Sequence, residues 1–275
     1  MIARALVSTA FVLVACSCIG VTEGGLVSFE ARAAGPADAT GAPLVFRTPG
    51  GYDVTLRKAR LHVGALYLNG TVPLTSERES SCILPGTYVG QVTSANDANP
   101  NALGGVDVDL LAATPVPFPT RGTGLADRAQ NGEVWLTGNG NVDAAEDKTV
   151  VFAFEGEARR AGVAYPFAGT FTIGSNRAKA PRSGALPGSN PICQERIVTG
   201  IPMALRLQEG GVLTLRADPR AIFATADFAL LDPNEAGVYE FLDREEGQPS
   251  IAAYFALRSS QGVYSFAFDA PPQPR

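Results

Sequence analysis

The sequence predicts a mainly β protein, a single antiparallel β-sandwich-like domain with one or two short helices near its C-terminus. Three observations carry that expectation. Apolar residues recur at every second position along several segments, the mark of strands with one buried face. Thirty glycines and 20 prolines in 275 residues exceed the combined share of roughly 12% in ordinary proteins and point to many turns between short strands. With 45% apolar and 18% charged residues, a chain of this length buries roughly three quarters of its unfolded surface and forms a large core.

Residues 1–15, MIARALVSTAFVLVA, hold one basic residue, Arg4, followed by an unbroken apolar to weakly polar run. The run falls short of the roughly 20 residues that cross a bilayer, and it fits a secretory signal peptide. Its ending, Leu13-Val14-Ala15-Cys16, resembles the lipobox of bacterial lipoproteins. That resemblance implies cleavage after Ala15, lipidation of Cys16 and a membrane anchor. Ser17 in place of Asp implies an outer-membrane address. Residues 16–25 then form a lipidated tether, residues 26–270 the folded domain and residues 271–275 a disordered tail.

Within the domain, residues 149–174 read as one long hairpin. Val150, Phe152, Phe154 and Ala158 face inward, and Tyr165, Phe167, Phe171 and Ile173 do so after the turn at Ala161-Gly162. Pro166 lacks an amide hydrogen and belongs at an edge or a bulge. Residues 52–68 start in phase at Tyr52, Val54 and Leu56, then shift to Ala59, Leu61, Val63, Ala65 and Tyr67, a slip that predicts a bulge near Arg57-Lys58. Ile201, Met203, Leu205 and Leu207 are expected to pair with Leu213 and Leu215 across Gln208-Glu209-Gly210-Gly211. Asp218-Pro219 looks like an N-cap and first-turn proline opening a short helix through Phe223. Ile251, Tyr254, Phe255 and Arg258 are spaced as one helical face ending before Gly262, and VYSFAFD closes as a strand. Residues 73–104, 111–131 and 175–195 read as long irregular loops.

Beyond Cys16 and Cys18, the chain contains Cys82 and Cys193, in loop-like surroundings of an exported chain. A Cys82–Cys193 disulfide is the simplest expectation. The single histidine, His62, shares a strand face with Lys58 and Arg60 and reads as an interstrand or surface residue. Any Ser-His-Asp or Cys-His apparatus would have to use it. Asp107 and Asp109 alternate on one strand face, compatible with paired carboxylates but also with a solvated face. Asn139, Asn141 and Asp143, with Glu146 and Asp147, offer calcium-type oxygens at alternate positions. Ala144 and Val150 stand where the EF-hand pattern needs Gly and Glu, so a polar turn is the competing reading. Trp135, the only tryptophan, reads as core or as a ring lining a binding cleft.

The formal charge of −5 and an isoelectric point near 5.0 leave no basic footprint for nucleic acid. The segment YDVTLRKARLHVGALYL, a Gly-rich centre and the closing GVYSFAF resemble, in strand texture, the periplasmic MbnP-like proteins of the methanobactin-associated copper system. The resemblance implies a fold and transfers no ligand residue. Copper prefers imidazole or sulfur, and only His62, Met203 and Trp135 are at hand outside the expected disulfide. The leading expectation is a non-enzymatic lipoprotein that binds another envelope protein or a glycan, or is structural, with no cofactor unless calcium. A metal-binding envelope protein, using residues 139–147 for calcium or His62 for copper, is the first alternative. A carboxylate hydrolase using Asp107 and Asp109 is the second.

Overall fold

The computed structural model describes residues 25–71, 88–93, 105–178 except 139 and 141, and 191–271 except 245. Residues 1–15, expected to be a signal peptide, together with Cys16, Cys82, Asn139, Asn141 and, of the expected tail, residues 272–275 lie outside the described residues. The strands are β1 (Leu26–Ala34), β2 (Leu44–Arg47), β3 (Asp53–Val63), β4 (Ala65–Asn69), β5 (Tyr88–Val92), β6 (Val106–Asp109), β7 (Val116–Pro117), β8 (Gly122–Leu125), β9 (Arg128–Trp135), β10 (Val150–Arg160), β11 (Val163–Thr172), β12 (Ile197–Arg206), β13 (Val212–Ala217), β14 (Tyr239–Phe241) and β15 (Tyr264–Asp269). The helices are short: α1 (Cys193–Arg196), α2 (Pro219–Ile222) and α3 (Gln248–Leu257). No helix among the described residues is long and apolar enough to cross a membrane.

Two sheets pack as the expected sandwich. The larger runs β12-β9-β4-β5-β8-β1-β13-β15, with β7 also paired to β1, and its end strands β12 and β15 lie against each other in a near-barrel. The smaller runs β14-β11-β10-β3-β2, with β6 also paired to β3. The pairing is not wholly antiparallel, because β1 with β13 and β11 with β14 run parallel.

The long hairpin is β10 with β11. Its two-residue turn puts Ala161 and Gly162 at φ of 51° and 82°, the left-handed pair whose twist suits a tight hairpin. Phe152, Phe154, Phe167 and Phe171 are buried as expected, whereas Val150 is exposed because the register slips between Val150 and Phe152. Pro166 lies just before the stretch of β11 that β14 covers, so its missing amide hydrogen faces an open edge. The bulge in β3 is at Arg57: Lys58 pairs with Glu155, and Leu56 already pairs with Gly156.

Two expectations fail. β12 and β13 do not pair with each other; β12 pairs with β9, and β13 with β1 and β15. Alternation shows which face is buried but not which neighbour completes the ladder. The stretches expected to be irregular contain β5, β7, β8, α1 and a 3-10 turn at Ser175–Arg177. β5 and β8 lack the apolar alternation because they are built on Gly90, Gly122 and Gly124. A Cβ on Gly122 would lie 2.2 Å from the Phe29 ring, and one on Gly124 2.5 Å from the Val89 carbonyl oxygen. Near the C-terminus, Asp218 caps α2 by accepting from the Arg220 amide, and α3 forms as expected. Its buried face is Ala253, Tyr254 and Leu257, leaving Phe255 51% exposed.

The chain changes sheets at Gly64. Val63 ends β3 in the smaller sheet, Ala65 starts β4 in the larger, and the Gly64 amide donates to the Trp135 carbonyl at 2.8 Å. A Cβ here would sit 1.9 Å from the Thr137 carbonyl oxygen. Gly64→Ala is therefore expected to cost roughly 3 kcal/mol or more, since backbone cannot yield as a side chain can. Urea unfolding followed through Trp135 fluorescence measures it, and a loss under about 1 kcal/mol would contradict the crossing geometry.

Candidate functional site

Alternation on three strands builds a site on the outer face of the larger sheet. In β9, Gly132 and Val134 face the sandwich core, so Asn131, Glu133 and Trp135 emerge on the opposite face. In β4, Leu66 and Leu68 face the core and Ala65, Tyr67 and Asn69 emerge. The register sets Asn69 opposite Asn131, Tyr67 opposite Glu133 and Ala65 opposite Trp135. From β5, Tyr88 pairs with Asn69.

Glu133 is the centre of this group and only 2% exposed. Its carboxylate accepts from Asn69 Nδ2 at 3.1 Å, from the Tyr88 hydroxyl at 3.4 Å and from Trp135 Nε1 at 3.4 Å. These donors are neutral, and no lysine, arginine or histidine among the described residues forms an ion pair with it. Burial pushes the Glu133 carboxyl above its ordinary range, against the opposing pull of the Trp135, Asn69 and Tyr88 hydrogen bonds. Burial, with the Glu133 charge adding to it, likewise raises the Tyr67 and Tyr88 phenols. Tyr67 packs on Trp135 with ring centroids 4.5 Å apart and on Tyr88 at 4.9 Å. Asn131 is 5% exposed, and its Nδ2 is buried without a hydrogen-bond partner.

Trp135 is thus buried, but outside the sandwich core, in a small second cluster with Ala65, Tyr67, Val142, Cys193 and Ile197. The cluster is roofed from α1. Arg196, fully buried, donates Nε to the Ile173 carbonyl at 2.7 Å and its two terminal nitrogens to the Val142 and Ala144 carbonyls, each at 2.6 Å. Glu195, beside it, accepts from the Tyr254 hydroxyl and pairs with Arg258, tying α1 to α3. Cys193 is buried and disulfide-bonded, and its expected partner Cys82 lies outside the described residues.

No protein-family model matches the chain, and no curated protein matches it. Among solved structures, MbnP from Methylosinus trichosporium is similar to this chain at 14% sequence identity and a TM-score of 0.41, over 90% of this chain and 99% of that one.

The other residues singled out in the sequence do not join this site. In the calcium-like segment, a cation is already present. The Arg196 guanidinium takes the Val142 and Ala144 carbonyls, and Asp147 accepts from the Thr137 hydroxyl at 2.5 Å and the Thr149 amide at 2.9 Å. Burial works against the Asp147 charge, but those hydrogen bonds and nearby Arg196 hold its carboxyl below the usual range. Asp143 also lies in the field of Arg196, so a calcium ion there would meet a guanidinium. Asp107 and Asp109 lie on β6 in the smaller sheet. His62 Nδ1 is 2.8 Å from Asp107, its cross-strand neighbour, and Asp109 accepts from the Leu111 amide. Met203 packs over Gly132 on the core side of the larger sheet, so His62, Met203 and Trp135 occupy three different faces. Among the described residues, no group of three or more His, Cys, Asp or Glu side chains is placed to hold a metal.

Reading by residue type missed Glu133, Asn69, Asn131, Tyr67 and Tyr88. A signal existed in NGEVWL, where two core positions alternate with Asn131, Glu133 and Trp135.

Two outcomes follow from these contacts. Arg196→Met leaves three carbonyls without their donor, and a loss of roughly 3 kcal/mol or more in denaturant unfolding is expected; a loss under about 1 kcal/mol contradicts the clamp. For Glu133, the folded-state pKa lies above the unfolded value of 4.5. Its contribution is fully present below that value and is lost as pH rises through the raised folded pKa. Glu133→Gln should therefore melt with wild type at pH 4 and above it by a few degrees at pH 8, one kcal/mol being roughly 2–4 °C in a chain of this size. Parallel melting curves across that range would contradict an uncompensated buried carboxyl.

Proposed function

We propose that this chain is an exported lipoprotein, anchored through Cys16 to the outer membrane, whose β-sandwich is a non-enzymatic module binding a small polar ligand over Glu133. One observation carries the binding assignment. A buried carboxyl without a cationic partner among the described residues stands beside a buried amide, Asn131, whose donor is unused. A buried donor without an acceptor costs on the order of 1–3 kcal/mol, a buried carboxylate without a counter-charge is costly as well even when neutral donors reach it, and a sheet face walled by Tyr67, Tyr88 and Trp135 holds both. Ligand sites combine apolar aromatic walls with a few such polar groups. The address rests on the signal peptide and the lipobox Leu13-Val14-Ala15-Cys16. Several acyl chains on Cys16, at about 0.8 kcal/mol per buried methylene, would make the anchor effectively permanent. A Cys82–Cys193 bridge would hold α1, and with it the roof over Trp135, closed in the oxidising envelope.

The two parts separate experimentally. Mass spectrometry of membrane-extracted protein is expected to show an acylated N-terminal Cys16, and Cys16→Ala should release the protein to the soluble fraction. An unmodified N-terminus contradicts the anchor. Native mass spectrometry of gently extracted protein should show a non-covalent small-molecule adduct on wild type and its loss from Glu133→Gln. Equal spectra contradict the binding site.

A further inference from the structure

We propose that the group recognised over Glu133 is a small organic ammonium, an inference that rests on the binding reading above. The charge pattern points to it. Glu133 already accepts from the neutral donors that β4, β5 and β9 supply, and among the described residues it lacks a cation. Arg196, which precedes the Ile197 paired with Trp135, is committed to the carbonyls of Ile173, Val142 and Ala144. A ligand that brings one positive charge replaces the missing counter-ion, and in a low-dielectric setting that attraction is much larger than in water.

The surrounding groups favour an ammonium over a guanidinium or an anion. The two hydrogen bonds to Glu133 from Tyr88 and Trp135 are long, 3.4 Å each, so the carboxylate keeps capacity for a stronger, charge-assisted partner. Tyr67 and Tyr88 are half-buried; Tyr67 has Trp135 and Tyr88 packed against its ring, whereas Tyr88 packs on Tyr67. A cation held against Glu133 would lie beside the Tyr88 phenol that reaches that carboxylate, and cation–ring attraction does not depend on hydrogen-bond direction. The Asn131 amide, next to Glu133 along the same face of β9, offers its unused N–H to an acceptor on the same ligand, such as a hydroxyl or ester oxygen one or two carbons from the nitrogen. An anion would meet the Glu133 charge directly.

Trp135 is the only tryptophan in the chain and its indole N–H donates to Glu133, so fluorescence excited selectively at tryptophan, apart from the seven tyrosines, reports on the site. Wild-type full-length protein titrated with choline and with ethanolamine at pH 8 should show a saturable fluorescence change for at least one of them. Its affinity should be about tenfold or more above that for 3,3-dimethyl-1-butanol, the uncharged isostere of choline, or for 1-propanol as the counterpart of ethanolamine, tenfold corresponding to 1.4 kcal/mol. Glu133→Gln, which keeps size and an acceptor, should lose that advantage while its circular dichroism matches wild type. Asn131→Ala should weaken binding less, because it leaves the charge in place. Neutral compounds binding as tightly as the cations, or Glu133→Gln binding them unchanged, overturn the ammonium assignment. A wild-type-specific adduct of a compound without an amine overturns it as well, while leaving the site. Silence in every titration, together with no adduct at all, overturns both the class and the site.

Discussion

The crossing of the chain between sheets at Gly64 is the constraint on which the fold and its site both depend. Alternation along β3 and β4 continues through the crossing, with Leu61 and Val63 facing the core. Because the strand leaves one layer and enters the other, the core lies on the opposite side of it afterwards. Ala65 and Tyr67, in phase with Val63 and so expected inside, emerge on the outer face, and Leu66 and Leu68 take the core. Only glycine permits this, since any Cβ would collide with the Thr137 carbonyl oxygen. The same hydrogen bond that anchors the crossing, Gly64 to Trp135, sets the register that places Tyr67 across from Glu133. A packing requirement of one residue thereby decides which side chains stand on the outer face of the larger sheet.

From that register the electrostatics follow. A glutamate facing solvent on an outer sheet face would be ordinary. Here Glu133 is 2% exposed, and the neutral donors around it offset part of the lost hydration without supplying a counter-charge. Elsewhere the structure handles charge set against aromatic rings differently. Arg177, fully buried, has Asp243 at 3.0 Å and the Tyr254 ring at 3.9 Å. Tyr52, whose phenol is pushed up to about 12 by burial and by Asp227, lies under the Arg160 guanidinium at 4.1 Å. In both clusters the positive charge has a carboxylate partner within the fold. Glu133 has no corresponding cation among the described residues, which is why the site, rather than the scaffold, is the place to look for a ligand.

Much of the fold was legible because it depends on local chemistry. The β10–β11 hairpin, the Arg57 bulge, the Asp218 cap and the last strand each follow from spacing or from a residue's own backbone preference. What was hidden depends on contacts distant in sequence. β5 and β8 are strands by virtue of glycines that let neighbours approach, a property of the partners Phe29, Val89 and Leu207 and not of the local pattern. Likewise β1 and β13, nearly two hundred residues apart, pair in parallel, and no hairpin rule finds such a partner. The site was missed for the same reason. Its residues come from three strands, and Tyr67 was assigned to the wrong side of the crossing.

The oxygen-rich segment 138–147 shows how the preference of a cation for oxygen can be met from within the chain. Asn, Asp and Glu at alternate positions describe a cation's preference for oxygen, and a cation is indeed bound there. It is supplied by the chain itself: Arg196 reaches the loop from more than fifty residues away and satisfies two backbone carbonyls that a metal would use. A guanidinium differs from calcium in consequence. Its planar donors fix directions as well as charge, so the loop is held at a defined orientation, with its Val142 in the Trp135 cluster. Through Val142 the segment is part of the cluster around Trp135, and Arg196, committed to the carbonyls of the segment, forms no ion pair with Glu133.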